Sequence, residues 1–476
     1  MDAADAVTSA RRPGRWALSS RASDRTARRA RSLGLVCVAL FDVVAFESAA
    51  APSRCPRNGG LGSYVGGVEQ LQAPRSAAAH PGSDTPKLDR VWQLQEIDGF
   101  SKVESVPTAV EYADAAVIGA GIVGLAVAHE LNARGLSVCV LERSGIGAGS
   151  SGVQPGGVRQ QWSTSVNCRL ARESAAFYAD ASERLGSEVP FRLDRCGYLF
   201  VAESSAELEL LGDNVRIQVA EGVRSRLVTP QEIFDLVPGI VVSEVAGGAW
   251  CGDDGYIDRP QSVLPAFARG LDVRIEEVRH IATRGSVWQV GSVVAPVVVV
   301  ASGLGTADLL RQLGIVLPIE PEARHLFLSD RIAERLLEPL VVSAGRGFAA
   351  KHLADGRVLA SDLSARGDEC GRERWRANIR REIERLLPRL TDVSFPTLIS
   401  GSYDVTPDHQ PILGPLPEHE GLFVAAGFSG HGFMLAPAVA RIVADAVIGE
   451  RLDPALTTLG AERFAENRLV PERQLV

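Results

Sequence analysis

Apolar residues fall into a regular pattern from Ala115 onward. The run Ala115–Ile118 reads as a short buried strand, and apolar positions then recur at 122, 125, 126 and 131, a helical spacing that Gly135 stops. A second apolar run, 137–141, ends at Glu142. Strand, tight turn, helix and strand make one βαβ half-unit. Residues 196–202 read as another strand, with a polar helical stretch following from Ser204. Thr229, Pro230 and Glu232 spell a capping box with proline at the first helical position, which fixes a helix start. Asp258, ahead of Pro260, is placed to cap a further helix. A strand at 272–276 and the β-branched run 293–303 come next; the latter suits a buried parallel strand whose carboxyl end turns at Gly303. Segment 318–365 alternates short apolar runs with turns, as antiparallel strands do. Trp375, Ile379, Ile383, Leu386 and Leu387 line one face of a helix over 372–390. Near the end, GLFVAAGFSGHGFMLAP (421–437) opens as a strand, surrounds His431 with four glycines, and leads into an Ala- and Val-rich helix over 436–448.

The chain has 476 residues, 46% of them hydrophobic, which supports more than one core and predicts a two-domain globular α/β protein. A formal net charge of −8 supplies no basic field for phosphates, which excludes nucleic acid and favours small-molecule partners. The seven cysteines stand singly, with no CxxC pair and an odd total. That usage predicts a reducing, cytoplasmic setting, no disulfide framework and no metal site. Residues 1–110 differ from the rest. Segment 10–32 is rich in Arg, Ala and Ser, segment 50–88 in Ala, Gly, Pro and Ser, and neither keeps a period, so both read as disordered. The run 33–46 between them superficially resembles a secretory signal, but it carries Asp42, is too short to span a bilayer and lies far from the start. Asp2, Asp5 and Asp24 argue against a transit peptide. The reading for 1–110 is a disordered extension without a function of its own.

The βαβ unit carries chemistry. Gly119 permits the tight turn, Gly121 removes a Cβ that would block a pyrophosphate, and Gly124 lets helix and strand approach. The free amides at the helix start, from Ala120 to Val123, favour an anion. Glu142 stands 18 residues after Gly124, where an acid accepts hydrogen bonds from both adenosine ribose hydroxyls and disfavours a 2′-phosphate. FAD or NAD fits and NADP does not. The continuation 143–163, from Arg143 through Ser150 and Ser151, is too rich in Gly and Ser for the next Rossmann helix and suits threading along an extended cofactor. An NAD-dependent dehydrogenase would need a second Rossmann half after Glu142, and none is visible.

Six ordered motifs carry a resemblance: GxGxxG with Glu142, GGVRQQWS, DGYID followed by Arg259 and Pro260, VVVVASG, TPDHQPILG and AAGFSGHGFM. Over 112–465 the chain resembles the D-amino-acid oxidase, sarcosine oxidase and glycine oxidase group of FAD-dependent oxidoreductases, especially proteins like the sarcosine oxidase β subunit. The resemblance implies a Rossmann-type FAD-binding domain (111–185, 250–317 and 401–465) interleaved with a mainly antiparallel substrate domain (186–249 and 318–400). It implies that the turn at Gly427, Gly430, His431 and Gly432 lies along the flavin, with Phe433 and Met434 beside it and the helix start aimed at the ring. His431 is then a flavin contact and a candidate base, or a capping or packing residue. Arg159 matches an arginine near flavin and substrate carboxylate, as a bidentate guanidinium would be; the alternative is a structural arginine. Thr406, Asp408 and Gly414 match the motif that shapes the cofactor end, and Trp162 is an aromatic wall or ordinary core.

Departures from the family qualify this picture. Gly401 and Ser402 precede Tyr403, where monomeric sarcosine oxidases carry a cysteine that tethers FAD, and 143–163 has no histidine. FAD is therefore expected to be non-covalent. Met434 replaces the lysine of sarcosine oxidases, which leaves carboxylate recognition to Arg159 with Lys351 or Arg324 and argues against sarcosine itself. Segment 273–303 is short for the family, implying that part of the second β-meander is missing. The expected reaction is oxidation of a C–N bond in a small amine or N-alkyl amino acid by hydride transfer to flavin N5. Oxygen, a quinone or an electron-transfer protein would be the acceptor, and a partner subunit is possible. The rival reading is an FAD-containing assembly or scaffold protein without turnover.

Overall fold

The computed structural model of the protein describes residues 111–474. The expected disordered extension and the signal-like run lie outside the described residues. The apolar run Ala115–Ile118 is wholly buried because it is an inner strand of a six-stranded sheet. Across that sheet the order is Asp272–Ile275, Val138–Glu142, Ala115–Ile118, Val297–Val300, Leu422–Ala426 and Ile412–Pro415; the first five run parallel and the last antiparallel. Val117 pairs with Val140 on one side and Val299 on the other, so the β-branched density of 297–300 is explained by burial on both faces.

The helix Ile122–Ala133 has apolar residues on nearly every side because it packs between that sheet and the helix Gly432–Val447. The latter begins earlier than the expected 436, with Pro437 inside it. Proline in a helix interior frees the carbonyl four residues back. Here Tyr178 donates its hydroxyl to the Phe433 carbonyl at 2.6 Å, and the Ala438 amide donates to Ser174 Oγ at 3.1 Å. Both partners sit on the helix Ser165–Tyr178, so a neighbour satisfies what Pro437 breaks.

A second, eight-stranded sheet runs in the order Thr397–Val405, Glu320–Arg331, Arg357–Asp362, Phe348–His352, Leu340–Ser343, Tyr198–Ala202, Gly247–Cys251 and Arg226–Val228. It is antiparallel apart from one parallel pair, Leu340–Ser343 with Tyr198–Ala202. The helix Arg372–Leu386 buries Trp375, Ile379, Ile383 and Leu386 in this sheet's core, as its spacing predicts. The capping box forms as expected: the Glu232 amide donates to Thr229 Oγ1, and the Thr229 amide donates to Glu232.

One expectation needs correction. Asp258 caps no helix; its Oδ1 accepts the Arg192 amide at 2.9 Å, and the 3-10 turn Pro260–Ser262 leads into Val263–Ala268 uncapped. Segment 273–303 holds a meander of three antiparallel strands, Ile281–Arg284, Val287–Val290 and Val293–Ala295. The connections turn at Gly285 and Gly291, with φ of +65° and +55°. Among the described residues no helix is long and apolar enough to cross a membrane.

Candidate functional site

Two glycines of the first turn are required by the protein itself. Gly119 has φ +108°, and a Cβ there would lie 2.6 Å from the Ala301 carbonyl oxygen. At Gly124 a Cβ would fall 2.0 Å from the Gly119 carbonyl oxygen. Gly121 differs: a Cβ would meet only Ser151 Oγ, at 3.3 Å. Its bareness keeps space open before the helix, whose N-cap it forms without any capping side chain. Ser151 Oγ accepts the Ile122 amide at 3.0 Å, so that hydroxyl stands at the helix start. Ser150 turns the other way and donates to the Ser402 carbonyl. Glu142, at the end of its strand, accepts the amides of Ala120 and Ser144, each at 2.9 Å. Arg143 is exposed, and Gly303, φ +55°, belongs to the turn that abuts Gly119.

A second helix start meets the first. The turn from Gly427 reverses the chain through three left-handed residues, Gly427 (φ +72°), Ser429 (+51°) and Gly430 (+91°). Asp404 holds it: its Oδ2 accepts the Gly427 amide at 2.8 Å and its carbonyl accepts the Ser429 amide at 3.0 Å. A Cβ on Gly430 would come within 2.3 Å of the Tyr403 ring, and one on Gly432 would lie 3.6 Å from Val123 Cγ2. The N-termini of Ile122–Ala133 and Gly432–Val447 therefore converge. Met434 reaches over Gly157, with its Cε 3.8 Å from a Cβ placed there, while Phe433 stacks on Tyr178 at 5.3 Å. Two converging helix starts, a side-chain-free Gly121 and the acid Glu142 fit an elongated dinucleotide.

His431 is buried, with its ring edge-on to Trp162 at 4.5 Å. Burial, with the nearby charge of Arg159, holds its pKa well below the usual imidazole value, so the ring is neutral. Arg159 is also fully buried. Its guanidinium lies 3.9 Å over Trp162, and its donors go to the Gln161 carbonyl and to the Gln474 carbonyl at 2.7 Å. A bidentate grip on a substrate carboxylate would have to displace those carbonyls. Asp254 fixes this stretch by accepting the Gln160 amide at 2.9 Å and the Gln161 side chain at 3.2 Å, and burial pushes its pKa up to about 6. Arg324 lies 5.1 Å over Tyr403, paired with Glu322, and its Nε has no partner among the described residues. The hydroxyls of Tyr198 and Tyr403 form no hydrogen bond among the described residues, and the Tyr198 hydroxyl lies 2.4 Å from a Cβ placed on Gly157.

Lys351 turns its ammonium to the protein itself. Its Nζ donates to the Pro155 carbonyl at 2.7 Å and lies 4.4 Å over the Tyr256 ring, and burial pushes its pKa down to about 8. An unfolded lysine takes up a proton below about 10.5 while this one resists, so its contribution to stability is lost as pH falls through that window. Lys351→Met should therefore raise unfolding free energy at neutral pH by about 1–3 kcal/mol. Urea denaturation should show the gain vanish near the free lysine pKa, about 10.4; no gain at neutral pH would contradict the charge penalty.

Three residues that hold the site, Asp404, Arg463 and Glu472, were not singled out in the sequence. Asp404 lies two positions ahead of the TPD motif. Asp408 of that motif is wholly buried in a two-pronged ion pair with Arg463, at 2.8 and 3.0 Å. Glu472 is buried against Ser163 and Thr164. The acid within YDVTPD was a visible clue to Asp404, whereas Arg463 and Glu472 meet partners 55 and 309 residues away in the chain.

Known proteins share this arrangement. The 4-methylaminobutanoate oxidase (formaldehyde-forming) of Paenarthrobacter nicotinovorans is 28% identical over 73% of this chain and 45% of its own length, so the chain spans less than half of that relative. Glycine oxidase of Geobacillus kaustophilus is 26% identical over 70% of this chain and 92% of its own. The crystal structure of L-proline dehydrogenase from P. horikoshii superposes with a TM-score of 0.70 at 28% identity, covering 76% of this chain and 100% of that one. A family profile matches residues 114–446, through both sheets and both helix starts, and on that ground the chain belongs to the DAO family of FAD-dependent oxidoreductases.

Proposed function

We propose that the protein oxidises the C–N bond of a small amine or an amino acid, N-alkylated or not. The observation that carries this reading is a neutral, buried His431 at the meeting point of two helix starts. Bound FAD supplies the hydride acceptor. Gly121, Ser151 and the Val123 amide would hold its pyrophosphate, joined by the Ile122 amide once it exchanges Ser151 Oγ for the anion, with Glu142 at its ribose and the start of Gly432–Val447 at its ring end. No side chain would tether it covalently.

The residues around His431 then bind and orient the amine. A histidine held neutral by burial is a weak base, so the substrate must arrive with its nitrogen deprotonated. The hydroxyls of Tyr198 and Tyr403 are available to direct that nitrogen, and Arg324 Nε is the guanidinium donor left over for a carboxylate. Arg159 backs Trp162 as a wall. Electrons leave to oxygen, a quinone or an electron-transfer protein.

An anaerobic absorbance titration with secondary amino acids, glycine, D-amino acids and L-proline tests the reading. One of these should bleach the flavin band; bleaching by dithionite alone would favour the scaffold role. With the reducing amine identified, kcat/KM should rise with pH along one limb set by the amine. In His431→Gln that limb should stay in place and the rate should fall by less than about tenfold, below the usual contribution of a general base. Loss of the limb would make His431 the base.

A further inference from the structure

Residues 470–474 lie beyond the stretch matched by the family, yet they reach Arg159, which lies over Trp162 beside His431. Glu472 is 1% exposed and has no Lys or Arg within ion-pair distance among the described residues. Five donors satisfy its carboxylate instead. Oε1 accepts the amides of Ser163 and Gln474, each at 2.9 Å, and the Ser163 hydroxyl. Oε2 accepts Thr164 Oγ1 and Asn167 Nδ2, each at 3.0 Å. A buried carboxylate is tolerated only when its lone pairs are met in this way. It also stands at the start of Ser165–Tyr178, whose N-cap Thr164 caps nothing itself, so the helix dipole favours the charge. Upstream, the Glu472 amide donates to the Asp408 carbonyl at 2.9 Å. Downstream, the Gln474 carbonyl accepts Arg159 Nη2 at 2.7 Å.

We propose that the segment 470–474 is part of the active site and that Glu472 is a positioning residue for Arg159 and Trp162. The chain of contacts is short. Glu472 fixes the backbone of 472–474, the Gln474 carbonyl fixes the guanidinium flat on Trp162, and Trp162 meets the edge of His431. Without the segment a buried guanidinium donor loses its acceptor and turns to find another, and Trp162 loses its backing. The proposal rests on reading the surroundings of His431 as the flavin and substrate site.

The test compares Glu472→Ala and Glu472→Gln in the full-length holoprotein. Glutamine keeps the shape, and Asn167 can turn its amide to meet it, since Asn167 Oδ1 has no partner at present. In Glu472→Ala, hydrogen exchange at amides 159–164 should quicken, and flavin reduction per bound FAD should slow, each by about tenfold. Glu472→Gln should stay within about threefold of wild type on both. If Glu472→Ala does not fold, Asn167→Ala, which removes one donor of the five, should move both readouts the same way by about threefold. A merely structural segment predicts lost FAD content with an unchanged rate per bound FAD, and that result overturns the proposal. If no amine reduces the wild type, the proposed reaction fails separately; exchange at 159–164 and the position of the FAD band then decide, and an unshifted band in Glu472→Ala overturns the positioning role.

Discussion

Gly124→Ala should bind FAD at least about 100-fold more weakly than wild type and lose about 3 kcal/mol of stability. The added methyl would sit 2.0 Å from the Gly119 carbonyl oxygen, a backbone atom that cannot swing aside. Gly119 itself is locked at φ +108° against Ala301, so the helix must back away from the strand turn. That movement shifts the amides of Ile122 and Val123, the groups assigned to the pyrophosphate. Gly121→Ala is the instructive contrast. Its methyl would meet only Ser151 Oγ, at 3.3 Å, so the apoprotein should keep nearly its full stability. Affinity should nevertheless fall, because the methyl fills the space before the helix. Urea denaturation of the two apoproteins and FAD titration by fluorescence quenching separate the effects. Full FAD affinity in Gly121→Ala would remove the cofactor from this turn.

The contrast between those glycines shows where the sequence was legible and where it was not. The βαβ unit is written in one continuous stretch, with each glycine, the helix spacing and Glu142 inside 30 residues, and local steric rules suffice to read it. The capping box at Thr229 was readable for the same reason. The second glycine turn was read as space for a flavin, and the structure adds a cause that no local pattern carries: Tyr403 and Thr406 occupy the places where side chains on Gly430 and Gly427 would go. Arg159 and Asp258 show the limit. Both residue types suggested a local or ligand role, but Arg159 spends a donor on Gln474 and Asp258 an acceptor on Arg192, partners 315 and 66 residues away. Side-chain partner choice across such separations is a tertiary fact. The late start expected for the helix over 436–448 has the same origin, since Tyr178 and Ser174 make Pro437 tolerable inside it.

Arg463→Ala should lower stability at neutral pH by about 3–5 kcal/mol, the usual consequence of stripping one partner from a buried pair. Arg463 and Asp408 are both fully buried, and the guanidinium also donates to the carbonyls of Leu459, at 2.7 Å, and Gln410, at 3.0 Å. Removal leaves a dry carboxylate behind the TPD loop, whereas the carbonyls keep their other donors, the Leu413 amide at 3.0 Å and the Thr406 hydroxyl at 2.7 Å. That loop holds the flavin turn, because the Thr406 amide donates to Ser429 Oγ at 3.2 Å. FAD release should therefore accompany the loss. The pH dependence identifies the cause. Burial alone would push Asp408 up, but Arg463 outweighs it and holds the carboxyl below its ordinary value. In wild type the pair's contribution is thus present above the free carboxylate pKa, about 3.9, and is lost as pH falls through the lower folded value. In the variant only the long hydrogen bonds from the Gln410 and Val470 amides and the Thr406 hydroxyl, each 3.3 Å, still oppose burial, so Asp408 takes up a proton more readily than it does beside Arg463. The stability gap between wild type and Arg463→Ala should be widest at neutral pH and narrow toward acid. A gap independent of pH would mean that lost packing, not the buried charge, accounts for it; a double variant with apolar residues at both positions should then fare no better than Arg463→Ala alone.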